Sequence, residues 1–305
     1  MKKNESSLTS LISAFGRAYH SKYDTPKIFD DFIAKDLITQ KEFTDIRENM
    51  IKGIAFFNKE IAMKFQDHPD EILKWITQVQ LSPTPLARAS YCENVLFREM
   101  PLGVKQYVIL GAGLDTFCFR HPELNDSLEI FEVDYPATQD FKKIRLANAN
   151  YQIPDNLHFV SMDFTKEFTV QNLVEEGFLP NKKTFFSLLG VSYYLTKEEN
   201  ANLINKLFTQ VPSGSSIVFD YADDKLFEEK GISNRVQNMV QMASASGEPM
   251  TSCFTYDEME KMLENSGLLI YEHLSPITIN NQFFRNRTDY LSAFETIHYI
   301  HAVKK

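Results

Sequence analysis

Apolar positions early in the chain recur every three or four residues. Leu8, Leu11, Ile12, Phe15 and Tyr19 share one helical face, and Ile54, Phe57, Ile61 and Phe65 repeat the spacing further on. Residues 70–79, with Ile72, Leu73 and Ile76, read as another helix, which the Ser-Pro-Thr-Pro stretch at 82–85 breaks. Residues 1 to about 100 thus read as helical throughout. From about 105 the period changes, and short continuous apolar runs alternate with helical stretches, the pattern of a mainly parallel sheet. Runs at 106–110, 128–133, 157–161, 184–189 and 215–219 predict five strands, with helices at 137–148 and 197–210 between them. After a helix over 256–265 and a stop at Gly267 come two last strands near 268–273 and 296–303. No clear crossover helix separates these two, which predicts an antiparallel edge. The expected fold is α/β, a sheet of about seven strands, mostly parallel with an antiparallel edge strand, behind an N-terminal helical region at 1–100.

Composition narrows the class. Among 305 residues there are 41 acidic and 32 basic side chains, a net charge of −9, and no dense Lys/Arg cluster. That balance argues against a nucleic-acid binder, which depends on neutralising phosphates. Three widely spaced cysteines (Cys92, Cys118, Cys253) form neither a disulfide framework nor a CxxC-type zinc spacing, and no cluster has metal-ligand spacing. The polar start after Met1 lacks the apolar stretch of a signal peptide, and no run of 18 apolar residues occurs. A soluble cytoplasmic protein without membrane contact is expected.

The chain holds only 11 glycines, and two of them stand together in Val108-Ile109-Leu110-Gly111-Ala112-Gly113-Leu114-Asp115-Thr116. A strand running into Gly-x-Gly lets a ligand approach the backbone, and Asp115 or Thr116 is expected to cap a following helix whose N–H groups face the ligand. Thr116 stands where a dinucleotide fingerprint places its third glycine. Asp134, 21 residues after Gly113 and at the end of the second strand, suits two ribose hydroxyls. Asp163 follows the third strand, on the same carboxyl edge of the sheet, where it can accept from an adenine amino group. Singly, such aspartates are commonly turn or cap residues. Three loops on one edge point to an adenosine ligand.

At 111–116 and at Phe131-Glu132-Val133-Asp134-Tyr135-Pro136, followed by Phe141-Lys142, the chain resembles the leucine carboxyl methyltransferase family. Its bacterial branch comprises S-adenosylmethionine-dependent O-methyltransferases, some associated with polyketide pathways. Arg17-Ala18, Ile28-Phe29-Asp30-Asp31, Arg88-Ala89-Ser90-Tyr91, Met162-Asp163-Phe164 and Gly190 with Tyr194-Leu195-Thr196 extend the likeness over nearly the whole chain. The resemblance implies a class I methyltransferase, Rossmann-like domain at 101–305 under an N-terminal lid at 1–100. It also implies site roles. Arg88 would hold the cofactor carboxylate, Gly111 would lie beside the methionine moiety with Gly113 in the same loop, Asp134 would bind ribose, and Asp163 with Phe164 would contact adenine. An arginine suits that grip by its bidentate fork, although an exposed surface arginine is the commoner occurrence. Two positions depart from the family pattern: Leu189 replaces the usual glutamate before Gly190, and Phe117 replaces a frequent arginine.

Tyr193 and Tyr194, just past the fourth strand, are the candidates to touch the acceptor, or else they pack as aromatic core. Phe15, Tyr19, Tyr23, Phe29 and Phe32 are more simply core than pocket lining, and His20, near the lid, is the one histidine of interest as a base. His298 and His301, three apart in a strand, point to opposite faces and form no metal pair. The Met-containing segment 222–255 reads as an extra core helix, as a cap insertion over a substrate pocket, or as both. The expected activity is methyl transfer from S-adenosylmethionine, with S-adenosylhomocysteine as product, to a carboxyl or hydroxyl group of a small or apolar acceptor. A polyketide-like metabolite fits, and a protein C-terminal carboxylate stays open as substrate. The alternatives are a nicotinamide-dependent oxidoreductase, which Thr116 disfavours, and a non-catalytic adenosine-binding module.

Overall fold

A computed structural model describes residues 8–164 and 169–305, so the polar stretch 1–7 lies outside it. The strands are β1 (Gln106–Leu110), β2 (Glu129–Asp134), β3 (Leu157–Ser161), β4 (Thr184–Leu188), β5 (Ser216–Ala222), β6 (Leu268–Leu274) and β7 (Ile297–Lys304). They form one sheet in the order β3-β2-β1-β4-β5-β7-β6. Neighbours from β3 to β5 pair in parallel, and β7 runs antiparallel to both β5 and β6. The antiparallel strand therefore enters at the expected end of the sheet, but slotted between β5 and the outermost β6.

Every residue of β1 and β4 is buried, because helices cover both faces. Tyr107, Ile109, Phe185 and Val218 face one core, shared with α4 (Pro83–Glu99), while Val108, Leu110, Phe131 and Phe186 face the other. The remaining long helices are α1 (Leu8–Tyr23), α2 (Gln40–Lys52), α3 (Pro69–Ile76), α6 (Pro136–Asn148), α7 (Lys197–Thr209), α8 (Arg235–Ala245) and α9 (Tyr256–Asn265), with the short α5 at Phe117–Arg120. Thr39, Thr196 and Thr255 start α2, α7 and α9 with capping boxes to Glu42, Glu199 and Glu258. The proline pair does more than end a helix. Pro83 occupies the first turn of α4, where a missing N–H costs nothing, and a buried π-helical turn (Thr77–Leu81) links it to α3.

The strand order reverses between β1 and β4. Leu110 is in register with Val133 of β2 on one side and Leu188 of β4 on the other. The carboxyl ends of these strands thus open on a common edge, where connections diverge and a ligand can enter.

Beside it, β2 and α6 are joined by a buried ion pair between Glu132 and Lys142. Burial pushes the Glu132 carboxyl up to about 7 against the pull of the Lys142 ammonium. Lys142→Met should therefore destabilise the fold by about 3–5 kcal/mol at neutral pH, since it strands a buried carboxylate. With its folded-state pKa raised, Glu132 favours the fold when protonated, so urea melts should show the deficit shrinking from pH 7.5 toward pH 5. A deficit that grows on acidification would contradict this account.

Candidate active site

The loop after β1 depends on glycine. Gly111 (φ +74°) and Gly113 (φ +53°) are left-handed, and a Cβ on Gly111 would overlap the Val191 side chain. The Gly113 N–H donates to Asp134 Oδ2 at 2.6 Å, and the Tyr135 N–H to Asp134 Oδ1 at 2.6 Å. Asp134 thus stitches the β1 loop to the β2 end, and each oxygen keeps lone pairs for a ligand. Burial raises its carboxyl above the usual range, opposed by those two backbone donors. The Met162 N–H donates to the Asp134 carbonyl at 2.8 Å, which sets half-buried Asp163 and Phe164 beside the same edge.

The expected helix after the loop is corrected to a single turn. In α5 the Phe117 N–H donates to Asp115 Oδ1 at 2.7 Å, while Thr116 turns its hydroxyl to Asp31 Oδ1, also at 2.7 Å. One turn carries little dipole, so here the glycines and Asp134, rather than a helix N-terminus, would receive the ligand.

Around Gly190, Arg88 reaches up from α4. Its Nη1 donates to Asp220 Oδ2 and to the Tyr193 hydroxyl, each at 3.0 Å, while the Gly190 N–H donates to Asp220 Oδ1 at 2.6 Å. A Cβ at Gly190 (φ +73°) would run into the Arg88 guanidinium. Burial opposes the Arg88 charge, but Asp220 more than offsets it, so the guanidinium is held firmly protonated. Among the described residues no protein acceptor meets its Nε or Nη2, which leaves part of the fork for a ligand carboxylate.

Helix α1 covers this edge. Arg17 Nε donates to Asp31 Oδ2 at 2.8 Å and its Nη2 to the Leu114 carbonyl at 2.7 Å, while Arg120 pairs with Glu93 and lies 3.7 Å from Asp31. These contacts dock the N-terminal helices on the glycine loop, and Ser10 lies where a Gly113 side chain would be. The insertion leaves β5 at Asp223 and returns at Phe254, whose N–H donates to the Ala222 carbonyl at 2.9 Å. Its α8 buries Arg235 and Val236, while Met239, Val240 and Cys253, like Leu189 and Tyr194, are half-buried and pack against the same core.

The predicted acceptor-side pair divides. Tyr193 is buried and holds Arg88, whereas Tyr194 is half-buried, packs on Tyr193 at 4.9 Å, and has no hydroxyl partner among the described residues. Burial drives both phenols far above their usual range, so both stay protonated. His20 is excluded as a base, because its Nδ1 meets Asp24 at 2.7 Å and its Nε2 accepts from the Ile28 N–H at 2.8 Å. Phe15, Tyr19 and Phe29 are core, while Tyr23 and Phe32 are exposed. Among the described residues no group of three His, Cys, Asp or Glu is placed to hold a metal, and no helix is long and apolar enough to cross a membrane. One site residue went unrecognised in the sequence: Asp220, an acid near the end of an apolar strand, carried the same signal as Asp134.

Several known proteins resemble this chain. The family model of leucine carboxyl methyltransferase matches residues 10–208. A Bacillus subtilis (strain 168) protein, "Putative S-adenosyl-L-methionine-dependent methyltransferase YktD", is 72% identical over 305 residues, covering 100% of both chains. A Mycobacterium tuberculosis protein similarly named is 31% identical over 226 residues, 71% of this chain and 60% of its own length. Among solved structures, a DUF574 family protein from Streptomyces avermitilis shares the fold at a TM-score of 0.56 and 12% identity, over 99% of each chain. With more than half of its length matched and the Bacillus relative alike from end to end, the chain belongs to the leucine carboxyl methyltransferase family, as an S-adenosylmethionine-dependent methyltransferase.

Proposed function

We propose that this methyltransferase transfers to oxygen, at a carboxyl or hydroxyl group of a small or apolar molecule. The observation that carries the reading is the apolar character of the half-buried residues on the β4 turn and the insertion. Leu189, Tyr194, Met239, Val240 and Cys253 all pack against the one core that holds Tyr193 and Met250, and they bring an adaptable Met side chain among them. The carboxyl acceptor in the family's name supports oxygen over nitrogen. Membership of that family removes the nicotinamide alternative.

The residues present fit the cofactor. Gly111 and Gly113 hold the left-handed turn that brings bare backbone to the carboxyl edge, Arg88 has donors to spare for its carboxylate, Asp134 has lone pairs for ribose, and Asp163 with Phe164 follows β3 on the side suited to adenine. Bound there, S-adenosylmethionine supplies an electrophilic methyl group on a sulfonium. The chain's own work is alignment and exclusion of water, since in-line placement is worth up to about 7–11 kcal/mol. A carboxylate acceptor arrives ionised and needs no base. For a hydroxyl acceptor, the protonated Tyr194 can donate to a neighbouring oxygen and steady the developing charge.

Asp134→Ala should weaken S-adenosylhomocysteine binding at least tenfold by calorimetry, because hydrogen bonds to a charged group are each worth about 1.5–3 kcal/mol; wild-type affinity would overturn the ribose assignment. Arg88→Lys should weaken it roughly tenfold, since an ammonium cannot hold Asp220, Tyr193 and a ligand carboxylate through one planar fork. A mass-spectrometric screen with isotopically labelled methyl donor should find products methylated on oxygen among apolar acids and phenols. Methylation confined to nitrogen or carbon acceptors would refute the proposal.

A further inference from the structure

At the end of the sheet away from the carboxyl edge, the last turns of α4, the Gly214 turn before β5, and strands β6 and β7 border a cleft of about 490 Å³. Val95, Leu102, Leu269 and Val303 give it apolar walls. His301 also lines it, from β7, where it lies opposite Val218 of β5 and Glu272 of β6 and is only 2% exposed. Neither of its ring nitrogens has a hydrogen-bond partner among the described residues, and Glu99 Oε1 stands 3.5 Å from Nε2 without forming a bond. Burial, with Arg98 and Lys183 adding to it, pulls the His301 imidazole down to about 4, so the ring is neutral near pH 7. A neutral imidazole carries one N–H and one lone pair. With a carboxylate on the Nε2 side, the proton belongs on Nε2, and Nδ1 is a buried acceptor that no group of the protein meets.

The cations of the cleft are loosely held. Lys183 Nζ lies 3.3 Å from Glu99 Oε2 and 3.4 Å from the Leu102 carbonyl. Arg98 is mostly exposed and reaches Glu272 Oε2 only at 3.5 Å, an oxygen that already accepts from the Tyr91 hydroxyl at 2.8 Å. The exposed Tyr271 ring stands edge-on to His301, with centroids 5.2 Å apart. The cleft therefore offers an acceptor inside, a guanidinium at its mouth, and apolar and aromatic surface between. Its volume is many times the roughly 30 Å³ that one water occupies.

We propose that this cleft is a second binding site, separate from the cofactor edge, for a small aromatic hydroxy acid, whose hydroxyl donates to His301 Nδ1 and whose carboxylate takes the Arg98 fork. Helix α4 carries Arg88 to the carboxyl edge and Arg98 to this cleft, about 15 Å apart along the helix axis. Glu99 sets the direction of the ligand. Its carboxylate beside His301 would repel an anion placed inward, so the hydroxyl enters and the carboxylate stays at the mouth.

The test is nuclear magnetic resonance of the full chain with isotopically labelled histidine, the His301 signal being the one that His301→Phe removes. That signal should show a neutral ring from about pH 8 down to about pH 5. Adding para-hydroxyphenylacetate should shift it saturably, also when S-adenosylhomocysteine is present in excess. Phenylacetate, which lacks the hydroxyl, and para-cresol, which lacks the carboxylate, should each bind roughly tenfold more weakly. Arg98→Met, a change at an exposed position, should weaken para-hydroxyphenylacetate about tenfold and leave para-cresol unchanged. The proposal fails if no saturable shift appears up to about 10 mM ligand. It fails equally if calorimetry finds binding unaltered by Arg98→Met and His301→Phe, which would assign the ligand to the acceptor side of the carboxyl edge. Should His301→Phe not fold, His301→Gln serves for the signal assignment and the Arg98→Met comparison decides.

Discussion

An ion pair between half-buried Arg88 and buried Asp220 joins parts of the chain 132 residues apart, and the carboxyl edge is organised around it. One oxygen of Asp220 takes the guanidinium and the other takes the Gly190 N–H, so a single carboxylate fixes α4, the end of β4 and the end of β5 together. The desolvation of both charges is tolerable only because each is matched within hydrogen-bonding distance. Gly190 belongs to the same constraint, since any side chain there would displace the arginine. Tyr193 completes it from the turn beyond β4. What results is a preorganised cation whose remaining donors need no rearrangement to receive an anion.

A second charged knot positions what covers that edge. Asp31 gathers Arg17 from α1, Thr116 from the glycine loop and its own following backbone, with Arg120 close by. The two arginines and the Thr116 hydroxyl hold its carboxyl below the usual carboxylate range despite burial. The N-terminal helices are thereby bound by polar contacts to the very loop that would meet the cofactor, rather than by apolar packing alone. Glu248 and Thr9 sit at the far end of the same helix, where the insertion meets it.

Phe117 illustrates how a departure from the family pattern is absorbed. Its ring is buried against Tyr107 and His121, while Arg120 one turn later places a guanidinium against Glu93 and near Asp31. Leu189 is absorbed differently, by packing half-buried against the apolar core under the sheet. The first substitution leaves a cation on that face, and the second removes a carboxylate from the β4 loop.

Strand and helix order were legible because burial on both faces of a parallel sheet demands continuous apolar runs, and runs such as Gln106–Leu110 and Thr184–Leu188 carry their own boundaries. The glycine pair and Asp134 were legible for a similar reason, since backbone conformation and strand-end position are local properties. Family motifs added Arg88, but not the partner that makes it useful. The slot of β7 between β5 and β6, the pairing of Arg88 with Asp220, the withdrawal of His20 into a hydrogen-bonded pair with Asp24, and the approach of Glu248 to Thr9 all join residues far from one another in sequence or depend on which neighbours fill their surroundings. Local pattern determined which elements form and where a ligand can touch the backbone. Only the tertiary structure decided which charges meet, because a charge's partner is set by the packing of whole elements and leaves no periodic trace in the chain.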